Sequence, residues 1–250
     1  MKEKWYFMPY QTLSGRENMA IDEYFLDFPR KCPLLRGYGF IKPTVTVGRL
    51  QKVGKSFQEE CMAQNVEIVK RISGGRAVLH YQDFTYSIII PKEHTLAKLS
   101  VMESYKEISH IFSEFFKRLS LNVQSVSRVK RDAERSELCF ELASYYELLI
   151  GGKKIIGSAQ CRKKYAVLQH GTLLQKIDAT IYEKLFGLKA SKELFENFTS
   201  LEEVDIQISE EALYQLLLST FQRFNIELEA YHLTEGDRTQ IKDYLLKKYL

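Results

Sequence analysis

Arg71-Ile-Ser-Gly-Gly-Arg-Ala-Val-Leu-His-Tyr-Gln-Asp-Phe-Thr-Tyr-Ser87 is the stretch on which the reading of this 250-residue chain turns. Gly74 and Gly75 stand between a strand expected over residues 66–71 and another beginning at Ala77. An adjacent glycine pair there lets a ligand approach bare backbone, but a tight turn needs the same residues, and spacing alone does not choose between them. Residues 84–90 are dense in β-branched and aromatic side chains and end at Pro91, which marks a well-buried strand.

A second stretch reads Cys139-Phe-Glu-Leu-Ala-Ser-Tyr-Tyr-Glu-Leu-Leu-Ile-Gly-Gly-Lys-Lys-Ile-Ile-Gly-Ser-Ala-Gln160. Strands are expected over residues 144–150, 154–161 and 165–174, with Gly151-Gly152 as the hairpin turn that sets Lys154 beside Leu149. Lys153 and Lys154 also suit a solvated turn. Before them, residues 128–137 carry dense charge and no apolar period, which reads as an exposed loop leading to Cys139.

Outward from these stretches, the pattern predicts strands at 5–8, 34–40 and 44–47, the last running into Gly48-Arg49-Leu50-Gln51. Ser14 caps a helix to about Phe28, on which Asn18 and Asp22 lie one turn apart and read as solvent-facing. Ser56 with Glu59 fits a capping box for a helix ending near Asn65. The strongest helix covers 100–119, opened by Ser100 with Glu103 and striped by Val101, Tyr105, Ile108, Phe112, Phe115 and Leu119; His110 lies off that stripe and reads as a surface residue. Helices follow after Asp178 to Phe186, over 209–224 behind a polar linker, and from about Glu235 to Tyr249. Hairpin-joined strands with helices elsewhere imply α+β, with mixed or antiparallel sheets flanked by helices, in a single domain over residues 1–250.

Composition narrows the function. The formal net charge of +4, from 36 basic and 32 acidic residues, does not call for nucleic acid, though a modestly basic face would attract an acidic protein carrier. No apolar run is long enough to span a bilayer, and the first residues lack the apolar core of a signal peptide, so a cytoplasmic protein without membrane association is expected. The four cysteines, Cys32, Cys61, Cys139 and Cys161, form no Cys-x-x-Cys pair, so no metal site is expected and the thiols remain available for chemistry. Cys139 has the most unusual setting of the four, between a basic loop and a strand. As a nucleophile it would need a nearby cation to favour its thiolate; the default for each of the four is an ordinary buried cysteine.

Taken together, Ser73-Gly74-Gly75 behind Arg71, Lys154-Ile-Ile-Gly157-Ser158-Ala159-Gln160 and Gln169-His170-Gly171-Thr172-Leu173-Leu174 resemble the lipoate-protein ligase and biotin ligase superfamily. Gly15-x-x-Asn18-Met19-Ala20-x-Asp22 and Gly48-Arg49-Leu50-Gln51 match as well, so the resemblance runs from the first helix to about residue 175. ATP-dependent ligases of that superfamily read Ser-Gly-Gly-Gly-Ala-Val and then His-Asp-x-Gly-Asn. Here Arg76 replaces the third glycine, and Tyr81 follows His80. The Gly-Gly-Arg-Ala-Val-Leu-His form, with Cys139-Phe140 ahead of Tyr145-Tyr146-Glu147-Leu148, is similar to the cysteine-dependent octanoyltransferases of lipoate biosynthesis, as is the fifteen-residue separation of Cys139 and Lys154. Two positions depart from the pattern: Lys70-Arg71 stands for an Arg-Arg pair, and Ala143 for a common proline.

The resemblance implies a biotin/lipoate protein ligase catalytic-domain-like fold, with Cys139 as the acyl-accepting nucleophile and Lys154 as the cation that lowers its pKa and polarises the acyl carbonyl. Arg71, Ser73, Gly74, Gly75, Arg76, His80, Gly157, Ser158, Ala159 and His170 are implied as substrate-binding. The donor would be octanoyl-acyl-carrier protein and the acceptor a lysine of a lipoyl-domain protein, such as glycine cleavage H protein or a dehydrogenase subunit. No cofactor is implied, because thioester exchange needs no ATP. Three readings compete with this one: an ATP-dependent lipoate-protein ligase, an amidotransferase moving octanoyl or lipoyl groups between lipoyl domains, and a lipoyl-domain-binding subunit that has lost activity. Only about seventy-five residues follow the last motif, little room for the ligases' accessory domain.

Overall fold

The computed structural model describes residues 2–126 and 147–249. Cys139, the charged loop expected at 128–137 and the start of the strand expected at 144 lie outside the described residues. In chain order the elements are β1 (Glu3–Phe7), β2 (Gln11–Leu13), α1 (Gly15–Asp27), β3 (Leu34–Phe40), β4 (Thr44–Val47), α2 (Lys55–Ala63), β5 (Glu67–Lys70), β6 (Val78–His80) and β7 (Asp83–Pro91). They continue with α3 (Thr95–Lys98), α4 (Val101–Arg118), β8 (Gln124–Val126), β9 (Glu147–Ile150), β10 (Lys153–Lys154), β11 (Ile156–Arg162) and β12 (Ala166–Leu174). Last come α5 (Ala179–Phe186), α6 (Leu188–Asn197), α7 (Glu210–Gln222), β13 (Ile226–Ala230) and α8 (Glu235–Tyr244).

Seven strands form the main sheet, in the order β11-β12-β7-β3-β1-β13 with β2 joined to β3. Along β3, β7, β12 and β11 each neighbouring pair is antiparallel, whereas β1 pairs in parallel with both β3 and β13, so the sheet is mixed as expected. Every residue of β7 and β12 is buried because helices cover both faces. On one face Ile88, Ile90 and Val167 meet Ile108, Phe112 and Phe115 of α4 and Leu213 and Leu217 of α7. On the other, Ile89 and Leu168 meet Ile21 and Phe25 of α1. Each such side chain contributes about 1.5–3 kcal/mol by leaving water, and Phe112→Ala would cost about 3–5 kcal/mol through the hole it leaves.

Two three-stranded sheets complete the fold, β5-β4-β6 and β10-β9-β8. Gly151 and Gly152, at φ of +56° and +82°, make the hairpin turn with both central residues left-handed, which sets Lys154 opposite Leu149 as expected. The strand expected from residue 154 to 161 is broken instead. The chain leaves the small sheet at Lys154 and enters the main sheet at Ile156, so Lys154 stands at a corner between two sheets.

Other expectations need correction. The capping box expected at Ser56 and Glu59 is absent: α2 starts one residue earlier, behind Gly54, and Ser56 falls inside its first turn. Ser14 with Glu17 and Ser100 with Glu103 do form complete boxes. The polar linker before α7 contains α6, which buries Ser191 and Leu194 on one narrow side. β13 was not foreseen, since its partner β1 lies at the other end of the chain. The last helix is α-helical only to Tyr244 and ends in a wider π-type turn, Leu245–Tyr249. Val101, placed on the core stripe, is exposed, whereas His110 is at the surface as read. No helix among the described residues is long and apolar enough to cross a membrane.

Candidate active site

A cavity of about 330 Å³ opens where the loop after β5, the outer strand β11 with β12, and the corner at Lys154 converge. Of the residues named from the sequence, Arg71, Gly74, Gly75, His80, Lys154, Gly157, Ser158, Ala159 and His170 line it. Ser73 and Arg76 do not: Ser73 lies behind the wall, and Arg76 faces a neighbouring cavity of about 450 Å³.

Arg71 shapes the loop from within. Its guanidinium is buried, and Nη2 donates to the carbonyls of Gly74 (2.8 Å) and Arg76 (2.7 Å), while Nη1 donates to the carbonyl of Thr46 (2.8 Å) and Nε to Ser73 Oγ (3.2 Å). A fixed fork of donors suits this task, because one side chain can gather several carbonyls that would otherwise splay. Gly48 lies against the same loop so closely that a Cβ there would run into the Gly75 carbonyl, and the amide of Arg49 donates to the carbonyl of Ser73 (2.9 Å). Gly75 itself, at φ of +92°, occupies backbone space that other residues rarely adopt.

Behind the loop runs a buried polar chain. Ser73 Oγ lies 2.6 Å from His170 Nε2, and His170 Nδ1 lies 3.7 Å from Asp22 Oδ2. Asp22 also pairs with Arg36 and accepts from Tyr38 (2.9 Å) and Ser87 (2.8 Å). Burial alone would push the Asp22 carboxyl up, but Arg36, His170 and Ser87 outweigh it and hold the group below the usual carboxylate range. Burial lowers the pKa of His170, with Asp22 opposing. Asn18 and Asp22, read from the sequence as solvent-facing, are in fact 0% and 1% exposed. Their partners Gly39, Arg36 and His170 come from β3 and β12, which enclose that side of α1. A parallel arrangement holds His80, whose Nδ1 meets Asp83 (2.7 Å) and Nε2 meets Thr46 Oγ1 (2.9 Å).

Lys154 is buried rather than solvated. Its ammonium lies 3.3 Å from Glu147 Oε1 and 5.8 Å from the centre of the Phe198 ring. A primary ammonium at a cavity wall can stabilise a thiolate or a developing oxyanion nearby. The thiols of Cys61 and Cys161 do not line this cavity. Burial pushes that of Cys61 up to about 11 and raises that of Cys161.

The sequence pattern of the lipoyl protein ligase A/B catalytic domain matches residues 14–222. The chain belongs to that family. Octanoyltransferase LipM of Macrococcus caseolyticus is 34% identical over 275 residues, covering 100% of this chain and 97% of that protein. Octanoyltransferase LipM of Carboxydothermus hydrogenoformans is 39% identical over 196 residues, covering 77% of this chain and 71% of that one. Among solved structures, a putative lipoate protein ligase from T. acidophilum with bound lipoic acid superposes with a TM-score of 0.78 at 18% identity, covering 99% of this chain and 96% of that one. A lipoate-protein ligase A bound with ATP reaches 0.78 at 19% identity, with coverage of 100% and 96%. At that identity the likeness is one of fold, and it bears out the catalytic-domain fold that the motifs implied. Within this family fold, Thr46, Thr85, Thr172 and Tyr105 also line the cavity, and the sequence reading missed them. Strand register is the signal that pointed to two of them, since Thr172 stands two residues beyond His170 and Thr85 pairs with it across β7 and β12.

Proposed function

We propose that this chain is an octanoyltransferase of lipoate biosynthesis that carries the acyl group on Cys139. The observation carrying the reading is end-to-end similarity to relatives named octanoyltransferases, at 34% identity over the whole chain. The donor is octanoyl-acyl-carrier protein, and the acceptor is a lysine of a lipoyl-domain protein such as glycine cleavage H protein or a dehydrogenase subunit.

In the first step the Cys139 thiolate attacks the donor thioester carbonyl, forming a new carbon–sulfur bond as the carrier's thiolate leaves. In the second, the acceptor's neutral amine attacks the enzyme thioester, the nitrogen of the tetrahedral adduct releases its extra proton to solvent, and Cys139 departs as thiolate to leave the amide. The first exchange is nearly isoenergetic and the second runs downhill to an amide, so no ATP is consumed. Lys154 supports this reading as the cation that stabilises the Cys139 thiolate and the carbonyl oxygen as charge develops on it. The backbone donors of Gly74 and Gly75 share that oxyanion. Arg71, Ser73, Arg76, His80 and His170 shape the acyl site together with Gly157, Ser158 and Ala159. One catalytic domain carries all of these residues, and the cytoplasm, where thiols stay reduced, suits the reaction.

The test is intact-protein mass spectrometry after incubation with octanoyl-acyl-carrier protein and no ATP. An octanoyl adduct is expected on the parent protein, located to Cys139 by peptide mapping and absent from Cys139→Ala. A strict requirement for ATP with free lipoate, or undiminished transfer by Cys139→Ala, would overturn the proposal.

A further inference from the structure

Asp22, His170 and Ser73 present the residue types of a hydrolase triad, yet Ser73 is 1% exposed and does not line the cavity. Its oxygen already accepts a hydrogen bond from Arg71 Nε. A guanidinium can only donate, which leaves His170 Nε2, at 2.6 Å, as the neighbour able to accept the Ser73 hydroxyl proton, and we assign the bond that direction. His170 then carries its own proton on Nδ1, the nitrogen facing Asp22 Oδ2 at 3.7 Å. That separation is longer than a hydrogen bond, but in so dry a setting a carboxylate still orients the N–H dipole toward itself. The carboxylate is held ionised by four partners: Arg36 and Ser87 on Oδ1, Tyr38 and His170 on Oδ2.

The result is a chain of donors running one way, from Arg71 to Ser73 to His170 and ending at Asp22. It links the main sheet, which supplies His170, to the loop of the small sheet, where Arg71 holds the carbonyls of Gly74 and Arg76. We propose that Asp22 is a positioning residue for acyl transfer: its charge sets the tautomer of His170 and, through Ser73 and Arg71, holds the Gly74–Gly75 backbone where the reacting carbonyl must sit. This rests on the transferase reading. Asp22 touches no substrate in the scheme, and Ser73 is a strut rather than a nucleophile.

The experiment uses the full chain and reads two quantities: the protonated nitrogen of His170, by long-range proton–nitrogen correlation, and the kinetics of octanoyl transfer from octanoyl-acyl-carrier protein. In the parent the His170 proton is expected on Nδ1. Asp22→Asn keeps the shape but removes the charge; the proton is expected to move at least partly to Nε2. Transfer should slow by about 10- to 100-fold, with the loss in kcat rather than KM, as a small misplacement of catalytic donors would cause. Ser73→Ala leaves the Asp22–Arg36 pair intact and breaks the chain one link later. It should slow transfer to a similar degree with the Nδ1 proton retained, and the double variant should be little slower than the worse single one.

A His170 proton on Nε2 in the parent, a folded Asp22→Asn with parental kcat, or additive losses in the double variant would each overturn the proposal. If Asp22→Asn does not fold, the parent tautomer and the rate of Ser73→Ala decide the matter. Failure of the parent to take octanoate from the carrier is a different result. It strikes the transferase reading and leaves the tautomer assignment standing.

Discussion

On one side of the cavity the loop from Arg71 to Arg76 is tied down by the Arg71 guanidinium and by the turn at Gly48. On the other side β11 is the outermost strand of the main sheet, paired only with β12 among the described residues, and six of its seven residues are half-buried. Lys154 stands where that second wall begins. The difference separates two needs of acyl transfer. Donors for a transition-state oxyanion must be fixed before the charge appears, because reorganising them during reaction would forfeit most of the gain. A wall past which an acyl chain enters and leaves needs backbone that can yield, and an outer strand whose backbone pairs with one neighbour among the described residues is suited to it, although Gln160 and Arg162 tie its far end to Ser104.

The largest expected effect falls on the yielding wall. Lys154→Ala should reduce octanoyl transfer by at least about 10²-fold. It should also slow alkylation of Cys139 near neutral pH; an unchanged alkylation profile would remove Lys154 from the role of thiolate partner. Next comes the fixed wall. In Gly48→Ala the new methyl meets the Gly75 carbonyl, which is flanked by the Gly74 and Arg76 carbonyls that Arg71 holds, so denaturant unfolding should show a loss of about 1–3 kcal/mol, with transfer falling too.

Gly171→Ala should cost less, within the same range, although its Cβ would meet Ser158 Oγ at 2.5 Å, the Gly157 carbonyl at 2.6 Å and Tyr86 Cε1 at 2.6 Å. Two of the three belong to the outer strand, which can move away, and the third is the edge of the buried Tyr86 ring on β7. Equal losses for the two glycine variants would erase the contrast between the walls.

The smallest effects concern pH. Burial depresses His170 in the fold, so below its ordinary value of about 6.5 the unfolded chain takes up a proton that the fold resists, and stability should decline as pH falls from there. Far from the cavity, Asp237 is opposed by burial but held down to about 2 by hydrogen bonds from Tyr231, Tyr24 and Thr234. Its contribution should be complete above the ordinary carboxylate value of about 3.9 and vanish as pH falls toward 2. Asp237→Asn should therefore differ in melting temperature from the parent at neutral pH, converge with it near pH 2, and leave transfer unchanged. An effect on transfer would mean that the cavity walls are coupled to the C-terminal helix.

Much of the architecture was legible because its causes are local. β3 and β4 were bounded as expected, since Pro43 and Gly48 punctuate two runs of strand-forming residues. α4 announced itself through Ser100, Glu103 and a regular apolar stripe, and the β9–β10 hairpin through two adjacent glycines. Gly74, Gly75 and Lys154, named because motifs spread along the chain agreed on them, all line the one cavity.

Local pattern determined where strands, caps and turns lie and which residues are available for chemistry. Tertiary structure alone decided that Asp22 faces inward, because Arg36, Ser87 and His170 arrive from three strands to balance and hydrogen-bond a charge that a single amphipathic helix would leave in water. It also decided that β13 closes the sheet beside β1, and that the chain turns a corner at Lys154, since each depends on a partner distant in sequence. A side chain's type and spacing are properties of the chain itself, whereas its charge state and solvent access are set by whatever folding packs against it.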